Sequence, residues 1–410
     1  MKPKRTLMLV ENAYPGDIRI KNEAELLTSA GYEVSVVALS GKGQLSQEVV
    51  NGVYVHRVPT LEVFKKTPME NPNVFQKIFT TVKALIGYLI EYLYFTTACF
   101  LIACKVFATR GFDAIHAHNP PDTLFLAALP FKIFGKKFVF DHHDLSPELY
   151  QSRYGAAKGF QTWLLGVFEW CSLRMANVSI ATNQTYKQIH VDRGGMKAEN
   201  VFIVRNGPNE NRMHVPPPSE RLRAMGKTIL VYIGALNPQD GVDYLLRAIK
   251  HMVDDLGRTD FYCVIMGGGD SLQDLKDLSA KLDIQDYVEL TGYIPEEDLL
   301  ANLSAADICM DPDPSSPLND SSTWIKIMEY MAFSKPIVSF DLKETMYSAQ
   351  EAASFVPAND ELAFAKATVE LMDDPDRRER MGNFGRQRIE NDLQWKVVGQ
   401  KLLDAYNHLL

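Results

Sequence analysis

Short apolar runs without polar interruptions, alternating with helical patterns, constrain the fold of this chain more than any other feature. Examples are TLMLVE at 6–11, YEVSVVAL at 32–39 and TILVYIGAL at 228–236. Strands that are apolar on both faces and separated by helices form parallel sheets covered on both sides. The sequence therefore predicts an α/β protein with doubly wound parallel sheets.

A polar, proline-rich segment at 208–226, PNENRMHVPPPSERLRAMG, interrupts the alternation, which then restarts. This composition is typical of a linker, and 410 residues exceed what one hydrophobic core supports. We expect Rossmann-like domains at 1–208 and 209–392, with a helix at 393–410 that packs back on the first. Ligands of such sheets bind beyond the carboxyl ends of the strands, so we expect the domains to face a cleft.

Composition and charge argue against several classes of protein. The net charge of −8 argues against general nucleic-acid binding, which needs a basic face. The five cysteines contain no CxxC pair and sit in apolar surroundings, which favours reduced core thiols of a cytosolic protein over a metal or redox site. The start, MKPKRTLMLVEN, leads straight into a strand pattern and does not match a signal peptide. We therefore expect a cytoplasmic protein.

The segment between Lys83 and Lys105, ALIGYLIEYLYFTTACFLIAC, is long and apolar enough to cross a bilayer. Its one charge, Glu91, lies near the middle, and threonines and tyrosines lower its apolarity. The segment also leads directly into a strand pattern, FDAIHAH. A core helix is the favoured interpretation, and a helix that also touches a membrane surface is the second.

The stretch PLNDSSTWIKIMEYMAFSKPIVSFD at 317–341 contains five small polar residues before an amphipathic helix. One of them suffices as an N-cap, and the free N–H groups and dipole of a helix start attract phosphate. Lys326 lies one turn into the helix and can add positive charge. Glu329, one turn further, can accept hydrogen bonds from a vicinal diol such as a ribose. A well-capped surface helix with a chance glutamate is the alternative that this pattern leaves open.

Two histidine-rich motifs, HAHN and DHHD, each end a strand of the first half. Side chains at positions i and i+2 of a strand share a face, so each motif places two polar side chains together. Metal binding is conceivable, but there is no HExxH motif and no histidine pair at helical spacing. Side chains that line a sugar-binding cleft are the favoured interpretation. The residues concerned are His116, His118, Asn119, Asp141 and His143.

Other motifs are less specific. NAYPGDIR at 12–19 predicts a turn that could bring backbone amides and the cation of Arg19 toward a phosphate. MGGGD at 266–270 follows a strand but lacks the GxGxxG spacing of a dinucleotide site. The chain has no GxSxG elbow and no P-loop, which argues against a serine hydrolase or a P-loop nucleotidase.

Several segments, in this order, resemble the retaining glycosyltransferase family 4: DIRIKNEAELLTSAGYEVSVV, FDAIHAHNPPD, VRNGP, YIGALNPQDGVDYLLRAI, LTGYIPEEDL, AADICMDP and IKIMEYMAFSKPIV. The resemblance covers nearly the whole chain. It implies a GT-B fold and transfer of a sugar, with retention, from a UDP- or GDP-linked donor to an acceptor hydroxyl. It also implies that the protein needs no cofactor and no metal.

The resemblance assigns roles to individual residues. The family's Glu-x7-Glu motif maps its ribose-binding second glutamate to Glu329 and its first glutamate to Ser321. The implied catalytic residues are His118, Asn319 and Asp320. The implied donor-binding residues are Glu329, Lys326, Ser321, Ser322, Thr323, Gly292, Tyr293, Ile294, Arg205, Gly16 and Arg19. The implied acceptor-side residues are His116, Asn119, Asp141 and His143.

This sequence departs from the family pattern at the donor diphosphate. Ala235 and Asp240 stand where the family has an arginine and a lysine. A charge-assisted hydrogen bond contributes about 1.5–3 kcal/mol, so the loss of two would weaken donor binding severely. We expect Arg19, Lys326 or Arg205 to supply the charge instead.

The departures leave two other functions open, a non-catalytic GT-B scaffold that binds nucleotide and a GT-B sugar-nucleotide epimerase. The long apolar helix indicates a lipid-linked or glycan acceptor in cell-surface polysaccharide or glycolipid assembly. We therefore expect possible peripheral contact with the inner face of the membrane.

Overall fold

The computed structural model describes residues 3–63, 74–154, 159–208 and 213–410. Two compact units make up the chain, the first formed by 1–147, 158–204 and 399–410, and the second by 148–157 and 205–398. The main chain thus leaves the first unit after Val204 and returns to it at Gly399, whereas the sequence placed these changes at 208 and 392.

Each unit contains one sheet. The first sheet has the order β3-β4-β2-β1-β5-β6-β7-β8 and is parallel except for the antiparallel pair β3–β4. Its strands are β1 Arg5–Ala13, β2 Glu33–Leu39, β3 Gln47–Val50, β4 Val53–Val58, β5 Ala114–His118, β6 Lys137–His142, β7 Val178–Ala181 and β8 Val201–Ile203.

The second sheet is parallel throughout, with the order β11-β10-β9-β12-β13-β14. Its strands are β9 Thr228–Ile233, β10 Phe261–Met266, β11 Val288–Gly292, β12 Ile308–Asp311, β13 Ile337–Phe340 and β14 Ala353–Val356. The direction of strand order reverses between β1 and β5 in the first sheet and between β9 and β12 in the second. Such reversals open a crevice at the carboxyl ends of the strands, which is where ligands of these sheets bind.

Helices connect the strands. They are α1 Ile18–Ser29, α2 Val74–Thr109, α3 Phe125–Lys132, α4 Ser146–Tyr154, α5 Phe160–Met175, α6 Gln184–Asp192, α7 Glu220–Arg223, α8 Val242–Asp254, α9 Leu272–Lys281, α10 Glu296–Ala305, α11 Ile325–Ala332, α12 Lys343–Ala349, α13 Glu361–Asp373, α14 Pro375–Arg388, α15 Trp395–Val398 and α16 Gln400–Leu409.

Successive residues of β9 show why the apolar runs do not alternate. Leu230 and Tyr232 belong to the core on one face of the second sheet, and Ile229 and Val231 to the core on the other. All four side chains are fully buried. The predicted α/β class, with parallel sheets covered on both faces, is confirmed.

The long apolar helix α2 is only partly a core helix. Its segment Gly87–Thr109 has a mean hydropathy of 1.5 and is 28% buried, so by length and composition it could also cross a membrane. Phe95 and Cys99 pack into the core of the first unit, whereas Leu93 and Leu101 are exposed. The expectation of a buried helix holds for one face of α2 only.

The cysteines differ from expectation in one respect. All five are free thiols, and Cys99, Cys263 and Cys309 are buried as predicted. Cys104 is exposed, because it lies on the outer side of α2, and Cys171 is half-buried. The sequence could not distinguish the two sides of an almost uniformly apolar helix.

Candidate functional site

In the second unit, glycines let two loops approach closely at the carboxyl ends of β9 and β10. A Cβ on Gly267 would lie 1.8 Å from the carbonyl oxygen of Gly234, and Gly267 itself has a φ of +139°. A Cβ on Gly268 would lie 2.3 Å from the ring of Tyr293. The MGGGD motif is therefore a packing requirement of the loops that follow these strands.

The loop after β9 is held by its own polar residues. Asn237 and Asp240 form a reciprocal capping box, in which the Asn237 N–H donates to Asp240 Oδ2 at 2.9 Å. Gly241 follows with a φ of +64°, and a Cβ there would lie 2.2 Å from the carbonyl oxygen of Pro312. Asp240, which stands where the family has a lysine, thus stabilises the loop.

The polar segment before α11 differs from the predicted N-cap. Residues 319–321 form a short 3-10 helix, and the N-cap position of α11 is Trp324, which makes no side-chain capping bond. Ser321 Oγ donates to Pro317 O at 2.9 Å and Ser322 Oγ donates to Leu318 O at 2.7 Å. The serine hydroxyls therefore bond to their own segment, and the residue at the N-cap position of α11 is not one of the five small polar residues.

Asn319 holds two loops together. Its side chain is fully buried, and Nδ2 donates to the carbonyl oxygens of Gln239 and Pro314, each at 2.8 Å. The side-chain amide of Asn319, which the sequence predicted to be catalytic, thus uses its N–H groups to hold these loops. The neighbouring Asp320 is half-buried and accepts from Ser315 Oγ at 3.1 Å.

Lys326 is buried between two aspartates. Its Nζ lies 2.6 Å from Asp313 Oδ1 and 3.1 Å from Asp311 Oδ1, and the ammonium group also lies over the ring of Tyr232. Burial raises the pKa of Asp313 well above its ordinary value, although Lys326 opposes the shift. Because two aspartates surround it, Lys326 is not the free phosphate-binding cation that the sequence predicted.

Arg205 lies beside the polar segment. Its Nη1 is 3.5 Å from Thr323 Oγ1, its Nη2 is 3.4 Å from Glu344 Oε2, and its guanidinium stacks 4.3 Å from the centroid of Tyr347. Both contacts to oxygen are long for charge-assisted hydrogen bonds. Arg205 is therefore a buried cation, 5% exposed, next to the start of α11, and its contacts to oxygen are long.

Four more of the predicted donor-binding residues lie in the second unit. Gly292 ends β11 with a φ of +70°, Tyr293 is exposed next to the glycine turn, and Ile294 packs against the core. Glu329 is half-buried in α11, one turn beyond Lys326. An exposed aromatic ring beside a glycine turn is suited to stacking on a flat ring.

In the first unit, the two histidine motifs converge as their strand positions predicted. Asp141 Oδ2 lies 3.4 Å from His116 Nε2, 3.2 Å from His118 Nδ1 and 3.3 Å from His143 Nε2. Glu23, which projects from α1, places Oε2 4.0 Å from His118 Nδ1. Burial lowers the pKa of His118 to about 3 and raises the pKa of Glu23 well above its ordinary value.

The turn after β1 positions Arg19 next to this group. Residues 14–16 form the predicted turn, which includes Gly16, and Asp17 caps α1 by accepting from the Arg19 N–H. Arg19 Nη2 lies 3.1 Å from Asp17 Oδ2, and Nη1 lies 3.2 Å from His143 Nδ1. Arg19 thus contacts a carboxylate and a histidine within the first unit.

Asn119 supports the loops around the histidines. Its Oδ1 accepts from the His143 N–H at 2.7 Å, and Nδ2 donates to Asp122 Oδ1 and to the carbonyl oxygen of Asp144. The side chain is 3% exposed. Asn119 therefore orients the loop that carries His143.

Sequence reasoning missed several residues of these sites. Asp311 carried a usable signal, because it ends β12, which flanks a reversal of strand order, whereas Glu23 lies within the helix α1 that follows β1. Asp313, Glu344 and Tyr347 carried none, because only the tertiary fold brings them to Lys326 and Arg205.

Two family models match the chain. The model described as Glycosyltransferase Family 4 matches residues 18–212, and the model described as Glycosyl transferases group 1 matches residues 227–374. This chain belongs to glycosyltransferase family 4. The resemblance seen in the sequence motifs is confirmed.

Curated relatives of this family 4 chain match over part of their length. A GDP-mannose-dependent monoacylated alpha-(1-6)-phosphatidylinositol monomannoside mannosyltransferase from Corynebacterium glutamicum is 28% identical over 172 residues, 41% of this chain and 44% of the relative. A D-inositol 3-phosphate glycosyltransferase from Thermobispora bispora is 26% identical over 225 residues, 52% of this chain and 51% of the relative. The chain thus spans about half the length of these relatives.

Solved structures match the whole family 4 chain. Sucrose-phosphate synthase from Thermosynechococcus elongatus has a TM-score of 0.73 at 18% identity, with 99% of each chain covered. HepE from Anabaena, in complex with UDP, has a TM-score of 0.68 at 14% identity, covering 99% of this chain and 100% of the other. The likenesses establish the predicted GT-B fold.

Proposed function

We propose that this protein is a retaining glycosyltransferase that moves a sugar from a nucleotide-diphospho-sugar to an acceptor hydroxyl. Family membership and the GT-B fold support the reaction class. Residues suited to such a substrate also lie where each sheet reverses its strand order. Glu329 and the segment at 319–323 follow β12, and His118 ends β5.

The uncapped start of α11, with Arg205 beside it, is the observation that carries the proposal. The first N–H groups of a helix have no acceptor within the helix, and the N-cap residue of α11, Trp324, makes no side-chain capping bond. With the helix dipole and Arg205, these groups would hold a diphosphate and stabilise its departure without a metal ion at this place. Glu329 would bind the ribose, and Tyr293 would lie against the base. The base is that of UDP or GDP.

The first unit is proposed to receive the acceptor, a glycan or a lipid-linked sugar, near His118. Two relatives are named for phosphatidylinositol mannosides, which supports a glycolipid acceptor. The exposed apolar side chains support it as well. They lie on three helices and are Leu89, Leu93 and Leu101 on α2, Leu126 and Leu129 on α3, and Trp163 and Trp170 on α5.

These three helices contact one another in the order α2, α3, α5, so their exposed apolar residues belong to one side of the unit. Ile133 and Phe134, which follow α3, are 86% and 62% exposed. The guanidinium of Arg174 lies 5.6 Å from the centroid of the Trp170 ring, and exposed tryptophans with a cation nearby are typical of surfaces that lie on membranes. We propose peripheral contact at the inner, cytoplasmic face of a membrane.

Calorimetric titration with UDP and with GDP tests the donor site. The wild-type chain is expected to bind one of the two nucleotides, and Glu329→Gln is expected to bind it more weakly. Glu297→Gln, which changes an exposed glutamate on α10, is the control and is expected to bind it like wild type. Turnover of the matching sugar nucleotide then tests transfer. Nucleotide binding without turnover would favour a non-catalytic scaffold, and the pairing of Lys326 with two aspartates also favours that function. Turnover of the donor without an acceptor would favour the epimerase.

A further inference from the structure

We propose that Glu23, His118, Asp141 and His143 bind a divalent transition-metal ion in the first unit. One potential ligand atom from each residue lies within 4.8 Å of all the others, and all four side chains are at most 3% exposed. Two imidazoles and two carboxylates suit Zn²⁺ and its first-row neighbours.

The spacing of three of these atoms is that of ligands around an ion. His118 Nδ1, His143 Nε2 and Asp141 Oδ2 form a nearly equilateral triangle with sides of 3.2, 3.2 and 3.3 Å. Ligands about 2.0–2.1 Å from a tetrahedral Zn²⁺ lie roughly 3.3–3.4 Å from one another. The Glu23 carboxylate completes the set at 4.0 Å from His118 Nδ1, and a small rotation would bring it to the ion.

A hydrogen-bonded network explains these distances less well. Hydrogen bonds from a neutral imidazole N–H to an oxygen are most often about 2.9–3.0 Å long, whereas the distances from Asp141 to the three histidines are 3.2–3.4 Å. Asp141 Oδ2 and Glu23 Oε2 are buried, and their contacts with the histidine rings, at 3.2–4.0 Å, are long for hydrogen bonds. Unsatisfied buried carboxylate oxygens are costly, and an ion at the centre of the triangle would satisfy both.

A second buried histidine group in the same unit shows the contrast. His142 Nδ1 lies 2.9 Å from His190 Nε2, and His190 Nδ1 lies 2.8 Å from Ser179 Oγ. These are ordinary hydrogen-bond lengths. The buried histidines His142 and His190 therefore lie at ordinary hydrogen-bond distances from their partners, whereas the potential ligand atoms of the proposed metal site lie further apart.

Ion binding has identifiable consequences for neighbouring groups. His118 Nδ1 and His143 Nε2 lie 3.2 Å apart, so in the ion-free chain one of the two rings carries its proton there; to bind the ion, that ring would shift the proton to its other nitrogen. His143 Nδ1 would then carry the ring proton, so the contact from Arg19 Nη1 would lengthen while Arg19 keeps Asp17. With four protein ligands and no solvent exposure the site would be of the closed, structural kind, holding α1 against the ends of β5 and β6.

The two motifs in isolation favoured the lining of a sugar-binding cleft over a metal site. Their actual spacing, together with Glu23 from a third segment, favours the metal. The proposal concerns the first unit alone and is independent of the metal-free donor site proposed in the second.

Metal content and thermal stability test the site. The full chain is stripped with EDTA, desalted, given Zn²⁺ or Mn²⁺, desalted again and measured by elemental analysis and thermal unfolding. We expect one equivalent of Zn²⁺ to be retained and Tm to rise by several degrees. Wild-type chain that retains no ion and shows no change in Tm would overturn the proposal without any variant.

Variants locate the ion. Loss of an outer-shell partner weakens metal binding roughly 10–100-fold. Glu23→Gln and His143→Gln each remove a proposed ligand, so each is expected to weaken Zn²⁺ binding at least as much. His251→Gln, which removes an exposed histidine, is expected to bind Zn²⁺ like wild type. Equal Zn²⁺ retention by all three variants would overturn the assignment. UDP titration of the stripped chain separates the two proposals, because donor binding is expected to survive EDTA while the Zn²⁺-dependent rise in Tm is lost.

Discussion

Lys326 Nζ lies 2.6 Å from Asp313 Oδ1, and both side chains are less than a tenth exposed. Asp311 also lies within 3.1 Å, so two carboxyl groups surround this one ammonium group at the end of β12. A cation so surrounded stabilises the loop around it more than it attracts a second anion. In the proposed donor site, the positive charge for a diphosphate would therefore come chiefly from Arg205.

Replacing Lys326 with methionine is expected to destabilise the second unit strongly. The substitution leaves two buried carboxylates without their cation, and breaking a buried ion pair in this way costs about 3–5 kcal/mol. Urea unfolding of Lys326→Met and of Lys276→Met, which removes an exposed lysine on α9, measures the difference. Equal unfolding free energies for the two variants would show that the buried group contributes no net stability.

Arg205 and Glu344 are expected to affect UDP binding in opposite directions. Arg205→Gln removes a charge-assisted contact of about 1.5–3 kcal/mol, so affinity should fall about 10- to 100-fold. Glu344→Gln removes the carboxylate that competes for Arg205 at 3.4 Å, so affinity should rise. Calorimetry on both variants checks the pair, and an unchanged affinity in both would exclude Arg205 from the donor site.

Glu11 predicts a pH dependence of stability. Burial, and then the charge of Glu91, raise the pKa of Glu11 from 4.5 to about 7. Because the folded state holds this proton more tightly than the unfolded state, its contribution to stability is complete below pH 4.5 and is lost as pH rises through 7. As pH rises from about 5 to about 8, the unfolding free energy of Glu11→Gln should therefore decrease less than that of wild type.

Urea unfolding at the two pH values measures this difference. Glu199→Gln, at an exposed glutamate of the same unit, serves as the control and should follow wild type. A Glu11→Gln variant with the same pH dependence as wild type would contradict the assigned pKa.

Charge on the exposed apolar side of the first unit is expected to abolish membrane contact. Wild-type chain should float with anionic phosphatidylglycerol vesicles, whereas Ile133→Glu with Phe134→Glu should remain in the dense fraction. Leu45→Glu changes an equally apolar, exposed residue elsewhere in the unit and should float like wild type. Wild-type chain that stays in the dense fraction would contradict the proposed contact.

Much of the fold could be predicted from the sequence, because parallel strands buried on both faces appear as uninterrupted runs of apolar residues, as Ile229 to Tyr232 illustrate. The convergence of His116, His118, Asp141 and His143 also followed, since adjacent parallel strands end at one edge and side chains two apart share a face. Local pattern and strand order sufficed for these residues.

The environment of Lys326 did not follow from the sequence. The helical position was predicted, but its partner Asp313 lies in a loop whose path depends on packing around Gly241 and Asn319. The prediction that one of the polar residues at 319–323 is the N-cap of α11 was wrong for the same reason. The polar residues at 319–323 satisfy their own loop, which leaves Trp324 at the cap position.

The helix α16 completes the first unit from the far end of the chain. The hydroxyl of Tyr406 lies 3.0 Å from Thr6 Oγ1 and 3.1 Å from His116 Nδ1. During synthesis, the strands of the first unit therefore leave the ribosome long before the segment that covers them, and the second unit is finished in between. Until Tyr406 emerges, His116 lacks this partner, so the first unit stays without its last helix while residues 205–398 are synthesised.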